Sequence, residues 1–250
     1  MERLLLTGAA GSIGQVLREG LRDVASVLRL MDREPLSAGP DEEVVTGDIR
    51  SLEDARRAAA GCDAVVHLAA IAEEAPFEAI LDVNVRGTYN VFEAARLEGC
   101  RRLVFASSNH VIGFYPVGRT LTPESPIRPD SYYGVSKAFG EALGRLYHDR
   151  HGLEVACLRI GTFAPRPSST RHLSTWLSHP DAVQLFRRCL EAPTIGFLVM
   201  YGTSAARRSW WQSPGWEVTG YRPQDDAEAY ADDVDDTARY RFQGGEYADG

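Results

Sequence analysis

Lysine is nearly missing from this chain. Of 27 basic residues one is a lysine, Lys137, and 26 are arginines. Positive charge is scarce overall, since 35 Asp and Glu leave a formal net charge of −8. Such a balance disfavours nucleic acid and anionic membrane as partners, because both attract basic surfaces. The four cysteines (Cys62, Cys100, Cys157, Cys189) are scattered, with no Cys-x-x-Cys pair and no metal spacing. They read as reduced, mostly buried thiols of a cytoplasmic protein rather than a disulfide framework. Long apolar runs are also absent. No stretch reaches the roughly 18 residues of a membrane-spanning helix, and the apolar run near the N-terminus is too short for a secretory signal.

What is present is ordinary for one generous globular domain of 250 residues, with 44% apolar and 25% charged residues. Short apolar, β-branched runs at 3–8, 27–32, 43–48, 62–70, 102–107 and 154–160 read as strands. Amphipathic stretches at 12–22, 52–60, 76–98 and 131–150 read as the helices between them. Strands apolar on both faces and separated by helices predict a doubly wound α/β fold around a parallel sheet. Ligands of such sheets bind beyond the strands' carboxyl ends. Residues 1–160 are therefore expected to form a dinucleotide-binding core. Residues 161–250, with a helical run at 181–191 and an apolar segment at 194–202, are expected to form a small substrate cap. Its acidic end is predicted to begin as a solvated helix, and Arg241–Gly245 to form a tail that packs on a neighbouring molecule.

Gly8, Gly11 and Gly14 follow the first strand in the spacing GxxGxxG, with Ser12 and Ile13 between the last two. Glycines there permit a tight turn and close approach of a pyrophosphate to a helix N-terminus. Asp32 ends the second strand and is placed to bind the adenine ribose hydroxyls, which favours NAD. Arg33 beside it leaves the 2′-phosphate of NADP open. Asp48 and Ile49 are candidates to bracket the adenine, although a helix cap explains them nearly as well. Leu68, Ala69 and Ala70 would let the chain pass close to the dinucleotide, and Ile160 closes the sixth strand at the same level. His67 reads as a core histidine.

Tyr133 and Lys137 are i and i+4 on the helix predicted at 131–150, so they share a face. An ammonium beside a phenol favours phenolate. Tyr133 is thus a candidate general base, with Lys137 assisting it and holding the nicotinamide ribose. Ser107 and Ser108 follow the fifth strand, where a hydroxyl would hold the substrate oxygen.

Together these residues resemble the extended short-chain dehydrogenase/reductase family over positions 1 to about 165. The resemblance implies that Ser108, Tyr133 and Lys137 are the catalytic Ser, Tyr and Lys, and that Asn84 lies near the cofactor. A narrower resemblance, to the uronate dehydrogenases, rests on 105–116, 128–141, 159–162, 171–179 and the closing Arg-Phe-Gln-Gly-Gly. It implies NAD-dependent oxidation of glucuronate or galacturonate at the anomeric carbon, giving an aldarolactone. It also implies a substrate site of Ser108, Asn109, His110, Tyr133, Thr162 and Arg171, the last binding the sugar carboxylate. Ala72 departs from that family, which carries a serine there. The four tryptophans read mainly as packing residues. A nucleotide-sugar epimerase or reductase and a non-catalytic dinucleotide sensor are the competing readings. The aromatic segment and the tail point to a homo-oligomer.

Overall fold

A computed structural model describes residues 1–234 and 239–249. Seven strands form one parallel sheet in the order β3-β2-β1-β4-β5-β6-β9. They are β1 (Arg3–Thr7), β2 (Val27–Asp32), β3 (Glu42–Thr46), β4 (Ala64–His67), β5 (Arg102–Ser108), β6 (Glu154–Ile160) and β9 (Phe197–Gly202). A two-residue pair, β7 (Thr162–Phe163) and β8 (Trp176–Leu177), stands apart. Alternation along each strand feeds two cores. Leu4, Leu6, Val66, Val104 and Leu158 face one side, where α1 (Ser12–Gly20) lies. Leu5, Val65, Leu103, Phe105 and Val155 face the other, where α2 (Leu52–Ala59) lies. Each fully buried side chain of this kind contributes about 1.5–3 kcal/mol. The doubly wound expectation is met, and the strand order reverses between β1 and β4, where such sheets bind ligands.

The chain reaches its fifth strand through α3 (Phe77–Ile80), a π turn (Leu81–Arg86) and α4 (Gly87–Leu97). The helix that carries Tyr133 and Lys137 is α5 (Tyr132–His151). Ser131 caps it by accepting from Gly134 N (3.0 Å), and Gly152 ends it at φ 71°. Behind that helix lies a buried ion pair. Arg159 on β6 donates to Glu141 on α5 through Nε (2.9 Å) and Nη2 (2.8 Å), and Ser107 Oγ donates to the same carboxylate (2.6 Å). The strand bearing Ser108, the helix bearing Tyr133 and β6 are thereby pinned together.

Three expectations need correction. The segment after residue 160 supplies core elements: β9 pairs with β6, and α7 (His179–Glu191) packs on α1. α8 (Gly215–Thr219) packs on α7 and β9 as well, and the remainder consists of α6 (His172–Thr175), α9 (Glu246–Asp249) and the loops between. The predicted acidic helix is a single 3-10 turn at Ala227–Tyr230, and residues 235–238 lie outside the described residues. The tail packs on its own chain, with Gln243 fully buried. The four cysteines are free and buried as expected. Among the described residues no helix is long and apolar enough to cross a membrane.

Replacing Glu141 by Leu leaves the Arg159 charge buried and unpaired. The expected loss is about 3–5 kcal/mol of unfolding free energy, measured as a lower urea midpoint.

Candidate active site

A cavity of about 480 Å³ opens at the carboxyl ends of β1, β2, β4, β5 and β6. Its floor is the glycine turn. Gly8 has φ 72°, and a Cβ on it would lie 2.7 Å from Ala69 N. A Cβ on Gly14 would lie 2.2 Å from Gly8 O. Larger residues are excluded at both positions, so the turn packs flat against Leu68–Ala70. The cap residue of α1 is Gly11, which makes no side-chain cap bond. The first N–H groups of that helix are left to face the cavity. Asp32 serves the same turn, accepting from Ala10 N through Oδ2 (2.9 Å). Ser12, Ile13, Asp48, Ile49 and Ile160 also line the cavity, with Arg33 and Glu34 at the Asp32 end. The Arg50 guanidinium on Asp48 lowers that carboxyl's pKa. This cradle fits a dinucleotide: no side chain intrudes where a pyrophosphate would meet the backbone.

Two polar residues act from beneath. His67 shares hydrogen bonds with Thr7 Oγ1 (2.8 Å) and Thr88 Oγ1 (3.3 Å), and burial pushes its pKa down to about 3. It is a neutral core histidine. Asn84 sits on the π turn and does not line the cavity. Its amide grips Ile71 N (2.8 Å) and Ile71 O (3.0 Å) and donates to Ser136 Oγ (3.1 Å), which fixes the loop after β4 against α5.

Ser108, Tyr133 and Lys137 line the same cavity. Lys137 Nζ donates to Ala106 O (2.8 Å) and lies 5.0 Å from the Phe105 ring centroid and 5.5 Å from that of Tyr133. It is 4% exposed and has no ion pair among the described residues. Burial drives its pKa down to about 7. Burial likewise pushes the Tyr133 phenol up to about 12, against the opposing effect of the Ser108 hydroxyl. The expected lowering of the phenol pKa by the ammonium is not among the main effects at work; the Ser108 hydroxyl supplies the lowering, and burial outweighs it. Among the protein's own groups, desolvation dominates both residues.

The sugar-side candidates gather beside this trio without lining the cavity. Asn109 and His110 lie on the 3-10 turn Asn109–Ile112, which Ser108 caps by accepting from His110 N (3.2 Å). His110 Nδ1 pairs with both oxygens of Asp130 (3.0 and 2.8 Å), and its ring stands edge-on to Tyr133 (5.7 Å) and over Tyr247 (4.2 Å). A Cβ on Gly244 would fall 1.9 Å from Asp130 Oδ2, so only glycine allows that approach. Arg171 donates through Nε (3.0 Å) and Nη2 (2.6 Å) to Gln243 O, and through Nη1 to Thr162 Oγ1 (3.3 Å). With its carboxamide turned to satisfy both neighbours, Asn109 donates to Ile160 O (3.1 Å) and accepts from Arg171 Nη2 (3.1 Å). Burial lowers the Arg171 pKa, and no carboxylate pairs with it among the described residues. Ala72 lines the cavity with a methyl group where the resemblance implies a hydroxyl.

Sequence reasoning missed Asp130, Glu141, Arg159 and Gln243. The Gly-Gly pair after Gln243 was the available signal, because it marks a close backbone approach. The tryptophans do pack: Trp176 Nε1 donates to Ala164 O, Trp211 Nε1 to Gln243 Oε1 and Trp216 Nε1 to Tyr201 O.

Residues 4–212 match the model of the NAD dependent epimerase/dehydratase family. A uronate dehydrogenase of Agrobacterium fabrum is 47% identical, over 100% of this chain and 97% of that protein. One from Pseudomonas putida is 44% identical, over 98% and 95%. A crystal structure of a point mutant of the Agrobacterium tumefaciens uronate dehydrogenase, complexed with NAD, superposes with a TM-score of 0.96 at 46% identity. It covers 100% of this chain and 98% of its own.

The Lys137 pKa is depressed on folding, from 10.5 to about 7, so the unfolded chain binds the extra proton between those values. The burial penalty is complete below about pH 7 and disappears as pH rises to 10.5. Lys137→Met should therefore raise the urea midpoint at pH 7 relative to the parent. That gain should shrink towards pH 10.

Proposed function

From a chain that belongs to the NAD dependent epimerase/dehydratase family, we infer an enzyme that oxidises a hexuronic acid, glucuronate or galacturonate, at C1 with NAD and forms the aldarolactone. The observation that carries this reading is Arg171: a half-buried, desolvated guanidinium with no carboxylate partner among the described residues, hydrogen-bonded to the residue next to Ser108. A buried charge left unpaired is costly, and a sugar carboxylate would supply the missing countercharge. A neutral sugar would not.

NAD, when bound, supplies the hydride acceptor. Gly8, Gly11, Ser12, Ile13 and Gly14 hold its pyrophosphate on the α1 N-terminus. Asp32 takes the adenine ribose hydroxyls, and Asp48 with Ile49 the adenine. Leu68, Ala69, Ala70 and Ile160 flank the dinucleotide, and Asn84 steadies the loop it runs along. Ser108 holds the C1 oxygen against Tyr133. Tyr133 takes the O1 proton as the C1–H bond gives up its electron pair, and the C1–O1 bond becomes the lactone carbonyl. Lys137, in its ammonium form, favours the phenolate against the opposing effect of burial, and its pKa near neutrality lets the pair pass a proton on at little cost. The two titrate as a pair. Asn109, His110 and Thr162 bind the sugar hydroxyls and Arg171 the carboxylate. A cytoplasmic homo-oligomer belongs to the same reading, which the free buried thiols suit.

Purified protein mixed with NAD or NADP and with glucuronate, galacturonate, glucose or UDP-glucuronate tests the proposal through reduced nicotinamide. Turnover is expected with NAD and the two free uronates, rising from pH 6 towards pH 9 as the pair loses its proton. Equal turnover of glucose would remove the role of Arg171, and turnover of UDP-glucuronate alone would favour the nucleotide-sugar reading. Tyr133→Phe should cut kcat by at least about 10²-fold while NAD still binds. Lys137→Arg should be similarly slow, because a guanidinium does not fit a fully buried site built for one ammonium.

A further inference from the structure

Gln243 has no free polar group. Its carboxamide donates to Pro116 O (3.1 Å) and Arg119 O (2.7 Å) and accepts from Trp211 Nε1 (2.7 Å). Its N–H donates to Tyr115 O (2.8 Å), and its carbonyl receives both Nε and Nη2 of Arg171. The residue is completely buried. Four hydrogen bonds to four residues fix the place of one carbonyl oxygen, and that oxygen fixes a guanidinium.

The edge it occupies matters. A guanidinium offers two paired-donor edges, one through Nε and a terminal nitrogen, the other through the two terminal nitrogens. Gln243 O covers the first. The second faces Thr162 Oγ1 and the Asn109 carboxamide, both weak neutral acceptors that a carboxylate can displace. Trp211 stacks on Tyr201 (4.9 Å, 11°), and the Tyr201 hydroxyl accepts from Arg159 (3.4 Å), the partner of Glu141 on the Tyr133 helix. One continuous path of contacts thus runs from the guanidinium to the helix that carries the phenol.

We propose that Gln243 is a positioning residue for substrate recognition: through its main-chain carbonyl it turns Arg171 so that the Nη1/Nη2 edge receives the carboxylate of the sugar acid. This rests on the uronate reading above. The residue touches neither cofactor nor reacting atoms, and it does not line the dinucleotide cavity. Its loss therefore acts on sugar binding alone.

A double-mutant cycle tests this, with KM for glucuronate, kcat and the Kd for NAD measured for the parent, Gln243→Ala, Arg171→Ala and the double variant. Gln243→Ala keeps the carbonyl but removes the three side-chain bonds that hold it; the displaced carbonyl misaligns Arg171 and is expected to raise KM about tenfold, the effect of weakening one charge-assisted hydrogen bond, with kcat and NAD affinity within about twofold. In the Arg171→Ala background the same substitution should change KM no further. Additive effects, or equal losses in kcat and NAD affinity, would overturn the inference and leave the uronate reading standing. An Arg171→Ala enzyme with the parent KM would overturn both. If Gln243→Ala does not fold, Trp211→Phe keeps the ring stack, frees the Gln243 carboxamide oxygen and is expected to raise KM in the same direction. An unchanged KM there would overturn the inference.

Discussion

Lys137 is an ammonium held by one carbonyl oxygen, beneath two aromatic rings, with no carboxylate paired to it among the described residues. Everything else at the reactive end depends on tolerating that placement. The ammonium lowers the pKa of His67, already low through burial, and so helps keep that histidine neutral. It also accounts for the opening oddity of the composition. Arginine serves wherever a cation lies at the surface, but its guanidinium scarcely gives up a proton and needs a planar fork of acceptors. A site with a single carbonyl, where the proton must come and go near neutrality, has room only for the smaller and more easily titrated group.

The buried Glu141–Arg159 pair is of a different kind. Its two charges neutralise each other, and its geometry is bidentate on one side and shared with Ser107 on the other. Pairs of this sort are weak evidence for stability, but this one joins β5, β6 and α5, the three elements that carry the serine, the tyrosine and the lysine. Rigid support of that type holds reacting groups within the small tolerances that proton transfer needs.

Much of this was legible in the sequence. Six of the strands in the main sheet and the helices between them announce themselves by local periodicity, and the glycine turn and the tyrosine–lysine spacing are local as well. The failures share a cause. β9 pairs with a strand that ends 37 residues before it begins, so its apolar run could not be told from a cap segment by pattern alone. Gln243 and Asp130 are polar residues buried by partners from several loops, and apart from the Gly-Gly pair after Gln243 their neighbourhoods do not mark them as interior. The burial that raises the Tyr133 pKa is invisible to a pairwise argument, which sees the neighbouring charge and not the depth of the site.

The contact between Gln243 O and Arg171 is made by a main-chain atom. Every amino acid carries that acceptor, so the Gln243 side chain acts at one remove, by holding the stretch of polypeptide that presents it. Insertions or deletions between Arg241 and Gly245 would thus move the acceptor and retune which acids are accepted. Divergence in chain length there offers a route to new sugar preferences that leaves the hydride-transfer machinery untouched.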